Sequence, residues 1–191
     1  MPMGEYVLRE ACRQVKTWRS GHSSHLWVSV NLSGRQFTDH GFLEQIGRSL
    51  KESNLPGESL QLEITESVAM KDLTYSAKAM HNLDRLGIRI SLDDFGNGYS
   101  SLGYLNRFPI KVLKIDRSFV ADIGRNPNSE AIAAAMISMG HALDMKVVAE
   151  GVENERQLDF LQSFACDRIQ GHLFSRALPP RHLAKILAQA V

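Results

Sequence analysis

The sequence is short of cysteine, of net charge and of long apolar runs, and each shortage removes a class of protein. Its two cysteines, Cys12 and Cys166, lie far apart and form no CxxC pair. That excludes a disulfide framework and a thiolate metal cluster, and it suits free thiols in a reducing compartment, the cytoplasm. Lysine plus arginine (22) nearly cancel aspartate plus glutamate (21), so bulk charge favours neither DNA nor an anionic membrane as a partner. No apolar run approaches membrane-spanning length, and the opening MPMGEYVLREA carries charges where a signal peptide would be apolar; direct membrane insertion by this chain is excluded. The seven histidines are scattered, with no HxxxH or HExxH, which leaves no histidine-rich zinc site to consider. What remains is a 191-residue chain, 43% hydrophobic, long enough for one substantial core and too short for two: a single domain over residues 1–191.

Short apolar runs alternate with segments of helical period. The runs are Leu26 to Leu32, Leu60 to Thr65, Ile88 to Asp94, Val112 to Asp116, Lys146 to Glu150 and Arg168 to Phe174, which predict six strands. Between them, Glu5 to Trp18, Phe42 to Ser53, Leu73 to Leu86, Ser129 to Asp144 and Glu155 to Phe164 repeat apolar residues at three and four, as amphipathic helices do. Gly87, Asn126-Pro127 and the Asn154/Gln157 pair supply the expected helix ends. Strict alternation implies a parallel sheet with helical cover, hence a doubly wound sheet or a (β/α) barrel.

Side-chain parity chooses between the two. Strand neighbours face opposite ways, so Asp93 lies with Ser91, Glu63 with Gln61, Lys114 with Asp116, Asn31 with Ser29 and Gln170 with Arg168, each set opposite an apolar one. A sheet covered on both faces by helices needs two apolar faces. A barrel instead turns its apolar face to its helices and gathers polar groups at the mouth, where the strands end and barrel chemistry sits. Asn31, Glu63, Asp93, Asp94, Lys114, Glu150 and Gln170 all fall at or near strand ends. One lysine among four carboxylates is either a salt-bridged plug or a metal site. The uncompensated negative charge favours metal, and oxygen ligands favour a hard ion such as Mg²⁺ or Mn²⁺.

In NLSGRQF (31–37), LEITES (62–67), LDDFGNGYSSLGYL (92–105), LKIDRSFV (113–120), VVAEGVE (147–153) and IQGHLFSRALP (169–179), the chain resembles the EAL-domain cyclic-di-GMP phosphodiesterases, with the motifs in the family's order and spacing. The resemblance implies an α/β fold, a TIM-like (β/α) barrel of EAL type, and hydrolysis of cyclic-di-GMP to linear pGpG with two Mg²⁺ or Mn²⁺ ions. It implies that Asn31, Glu63 and Asp93 hold a first metal, that Asp93 bridges to a second completed by Asp94 and Glu150, and that Lys114 orients and helps deprotonate the attacking water. Gln170 would line the site, Glu66 would anchor the loop after Asp94, Asp116 would touch substrate or a ligand, and Gly96 and Gly98 would make that loop flexible. Asn97 stands where the family often has threonine, and His172 where tyrosine is common. The match begins well inside the family's domain, and the Glu-Ala-Leu tripeptide does not occur. A barrel of this type needs about 250 residues. The expectation is therefore an N-terminally truncated domain with about six of eight strands, its first and last strands left as edges and inviting self-association into a homo-oligomer. It would come from a longer parent that carries sensory or regulatory domains. A second reading is a catalytically incomplete module that binds cyclic-di-GMP or a protein partner.

Overall fold

The computed structural model describes residues 3–21, 24–39, 41–96 and 102–189. Among these, Met3–Gly21 forms helix α1, followed by strand β1 (Val28–Asn31), the short α2 (Gly34–Phe37), α3 (Phe42–Glu52) and a 3-10 turn at Gly57–Ser59. Strand β2 (Leu60–Thr65) runs into α4 (Glu66–Lys71) and α5 (Leu73–Arg85), and β3 (Arg89–Phe95) precedes α6 (Leu102–Leu105). Then come β4 (Val112–Ile115), α7 (Arg117–Ala121), α8 (Pro127–Ala142), β5 (Lys146–Glu150), α9 (Glu155–Ser163), β6 (Arg168–Gln170) and α10 (Pro180–Gln189).

The six strands lie in sequence order, each paired in parallel with the next. Each crossover is helical, so the sheet curls as an open part of a barrel, with β1 pairing only with β2 and β6 only with β5 among the described residues. The parity of the sequence is the parity of the sheet. Leu60, Leu62, Ile64, Ile90, Leu92, Leu113, Ile115, Val147 and Ala149 are buried in one cluster with Met80 and Leu83 of α5 and Ala133 and Ile137 of α8. Gln61, Glu63, Ser91, Asp93 and Lys114, on the opposite face, are buried too. A buried face that polar was selected for something other than the hydrophobic effect, since each such group needs a partner.

The six strands fall where periodicity put them, with one clear difference. The run Arg168 to Phe174 yields a strand only to Gln170. Beyond it the chain bonds back to the β5–α9 loop, with Val152 N–H donating to the Gln170 carbonyl (3.1 Å) and Leu173 N–H to the Val152 carbonyl (3.0 Å), so the ladder ends. The punctuation holds: Asn126 caps α8 with Pro127 in its first turn, and Asn154 and Gln157 form a full capping box on α9. The cysteines are free thiols, Cys12 buried and Cys166 half-buried. No helix among the described residues is long and apolar enough to cross a membrane.

Candidate metal centre

Lys114 lies at the middle of the polar face, 4% exposed, and its ammonium meets three carboxylates. Nζ is 2.6 Å from Glu63 Oε2, 2.6 Å from Glu150 Oε1 and 3.0 Å from Asp93 Oδ1. Burial alone would push an ammonium toward neutrality, yet hydrogen bonds to Glu150 and Glu63 and the charge of Glu63 outweigh it and hold the Lys114 pKa well above the ordinary value. Asp93 Oδ1 is buried, with the Lys114 ammonium beside it.

Asp94 solves a problem that parity poses. Adjacent strand residues point to opposite faces, so two consecutive aspartates should diverge. Asp94 instead adopts a left-handed φ of 54°, a conformation aspartate tolerates better than most residues, and the β3–β4 register slips between Leu92 and Phe95. The kink brings carboxylate oxygens of Asp93, Asp94 and Glu150 within 4.8 Å of one another. Burial raises the Asp94 pKa above the ordinary carboxylate value, and the charges of Asp93 and Asp116 and a hydrogen bond with Asp116 add to that rise. Glu150 is also raised, first by burial and further by the charges of Asp93 and Glu63, against the opposing hydrogen bond and charge of Lys114. Desolvated carboxylates held this close together favour a compensating cation, as the ligands of a metal site do.

The remaining expected residues take distinct places. Glu66, 3% exposed at the start of α4, accepts the Gly96 N–H (3.2 Å) and so ties down the turn after Asp94. Asp116 caps α7 by accepting from Ser118 N–H (2.9 Å). Asn31 stands opposite Glu63 at the end of β1 and is exposed. Gln170 pairs with Glu150 in register and is also exposed, in a groove with Glu150, Arg117 and Arg176. Asn97 and Gly98 lie outside the described residues. The two arginines beside Glu150 escaped sequence reasoning because both follow strand ends, where alternation gives no signal.

The donor set fits a hard divalent cation. It consists of carboxylate oxygens only, with more negative charge than one lysine offsets. Comparison with known proteins agrees. The EAL domain family matches residues 2–177, and the chain belongs to that family. It is 44% identical over 187 residues to the signaling protein YkoW of Bacillus subtilis, covering 98% of this chain and 23% of that protein. It is 41% identical over 186 residues to the bifunctional diguanylate cyclase/cyclic di-GMP phosphodiesterase MucR of Pseudomonas aeruginosa, covering 97% of this chain and 27% of that one. The chain thus spans about a quarter of the length of these relatives, which are larger proteins. The solved phosphodiesterase of MucR in complex with c-di-GMP superposes with a TM-score of 0.93 at 42% identity, over 95% of this chain and 73% of that one. The EAL domain of DcpA from Mycobacterium smegmatis gives 0.93 at 39% identity, over 98% and 85%.

Proposed function

We propose that this chain is the hydrolytic part of a cyclic-di-GMP phosphodiesterase, opening one phosphodiester of the cyclic dinucleotide to give linear pGpG. The observation that carries the reading is the convergence of Asp93, Asp94 and Glu150 oxygens within 4.8 Å of one another at the edge of a buried polar face. Asn31, Glu63 and Asp93 would hold one Mg²⁺ or Mn²⁺, and Asp93, Asp94 and Glu150 a second. Two such ions, when bound, lower the pKa of water and neutralise the attacking and leaving oxygens of an in-line displacement. Lys114 would contribute as a fixed cation: the carboxylates around it keep it protonated, so in place of the expected share in deprotonating the attacking water it would orient that water and stabilise the phosphorane-like charge as an ammonium donor. Glu66 keeps the Asp94 turn in place, and Gln170 and Asp116 line the approach. The parent protein would be cytoplasmic in this portion and would couple it to sensory or regulatory domains.

A second reading draws on the same tetrad. Lys114 already satisfies much of the cluster, so the chain can rest as a salt-bridged module that binds cyclic-di-GMP or a protein partner without cleaving. Incubation with cyclic-di-GMP and Mn²⁺, followed by chromatographic separation of nucleotides, decides between them. Accumulation of pGpG supports hydrolysis. Retention of intact dinucleotide on the protein supports the binding module, and neither retention nor cleavage sinks both.

A further inference from the structure

Asp94 and Glu150 lie on β3 and β5, which are not neighbours: β4 separates them. Two strand spacings amount to roughly 9–10 Å, yet the carboxylate oxygens come within 4.8 Å. The aspartate and glutamate side chains reach far enough to close that gap, but only while the turns that follow the two strands hold them aimed at each other. The element that follows β4 touches both turns. On one side, Phe119 of α7 packs with Met136 of α8 against Gly96, where φ is 100° and a built Cβ would come 2.9 Å from the Phe119 ring and 2.3 Å from Met136 Cε. On the other side, Arg117 packs against Gly151, the residue after Glu150, where φ is 72° and a Cβ would come 2.7 Å from Arg117 Cβ. Asp116, the cap of α7, lies near enough to Asp94 for their charges to act on each other, and the Val120 carbonyl accepts from Gln157 Nε2 of α9 (3.1 Å). Neither turn has room for a side chain where α7 sits.

We propose that α7 is a wedge that sets the separation of the two carboxylate-bearing turns, with Phe119 as its positioning residue. Phe119 supports the backbone that aims Asp93 and Asp94, while Arg117 supports the backbone behind Glu150. The metal-binding half of this inference rests on the proposed function, and the backbone half does not.

Hydrogen exchange and Mn²⁺ titration on the whole chain test the two halves separately. Phe119→Ala should quicken amide exchange across Asp93 to Gly96 while leaving β1 and β2 unchanged, and should weaken Mn²⁺ binding by roughly 10- to 100-fold, the usual effect of removing support behind a ligand. Phe119→Leu, which keeps the bulk, should restore both. Gly151→Ala, which pushes on Arg117 from the Glu150 side, should quicken exchange at Gly96 although the two glycines are far apart in sequence. Unchanged exchange across Asp93 to Gly96 in both the alanine variants overturns the wedge, and so does an equal rise in exchange throughout the molecule. Absence of Mn²⁺ binding to the unaltered chain refutes the proposed function instead, and the exchange data then still decide the role of α7.

Discussion

The pair Asp93-Asp94 is a contradiction settled by one backbone angle. Alternation shows from sequence alone that Asp93 belongs with Glu63 and Lys114, and the structure has the three side chains in contact. Alternation sends Asp94 the other way, and only the left-handed φ of 54° turns it back. No residue pattern announces that angle, because aspartate is common in ordinary turns as well. Asn31 and Gln170 were read as site residues from their place at strand ends, and both are exposed, because their strands are the two outermost. Two outcomes follow at this scale. Asp94 is desolvated and faces Asp93 and Asp116, so Asp94→Asn should raise the urea midpoint of the metal-free chain at neutral pH; a lower midpoint would mean that the charge is compensated. Lys114 is the cation its neighbours share, and removing one partner of a buried ionic group costs about 3–5 kcal/mol. Lys114→Met should therefore lose about that much stability in urea denaturation at neutral pH, and an unchanged midpoint would remove Lys114 from the centre of the cluster. In a turnover assay of an active protein the same change should cost a factor of about 10² or more.

Five of the longer helices were legible, whereas α10 (Pro180–Gln189) and the helices of one or two turns were not. α1, α3, α5 and α9 show their period and α8 is a helix without the amphipathic stripe expected of it, but α2, α4, α6 and α7 span four to six residues, too few for periodicity to register. They all follow strand ends, which is why the architecture was readable while the supports of the site were not. The opposite end of the sheet is held by Asp167, ahead of β6. Its carboxylate accepts from Lys146 Nζ (2.7 Å) and Val147 N–H (2.9 Å) at the start of β5 and lies 2.9 Å from His141 Nε2 in α8. Burial acts to raise its pKa, but the bonds from Lys146, Val147 and His141 prevail and hold it down at about 2, below the ordinary 3.8. A depressed carboxylate stabilises the fold above its unfolded pKa and loses that contribution as pH falls through the folded one. Asp167→Asn should thus lower stability at pH 7 and flatten the loss between about pH 3.8 and 2; an unchanged acid limb would remove Asp167 from the account. On α9, Asn154→Ala removes the cap and should cost about 1 kcal/mol in chemical denaturation.

At the scale of the molecule, the polar interior and the open sheet belong together. An interior this polar is costly unless cations, donors or further strands complete it. At the strand starts, the guanidinium groups of Arg89 (5.6 Å) and Arg168 (5.4 Å) lie over the Trp27 ring, so the region just before β1 meets the first residue of β6 without strand pairing. The outer edges of β1 and β6 nonetheless carry no ladder among the described residues, and unpaired edges recruit other chains. We expect the isolated chain to self-associate, with those strands or α1 at the contact; light scattering combined with hydrogen exchange across Trp27 to Asn31 and Ile169 to Leu173 checks it. A monodisperse monomer with both edges strongly protected would contradict that expectation. The central claim, that the carboxylate mouth is a two-ion centre, is tested most directly by Mn²⁺ titration followed by electron paramagnetic resonance on the unaltered chain, Asp93→Asn and Asp94→Asn. The account predicts two ions on the unaltered chain, weakened binding of both in Asp93→Asn and loss of mainly one in Asp94→Asn. Equal, undiminished binding in the two variants, or no binding to the unaltered chain, would contradict it.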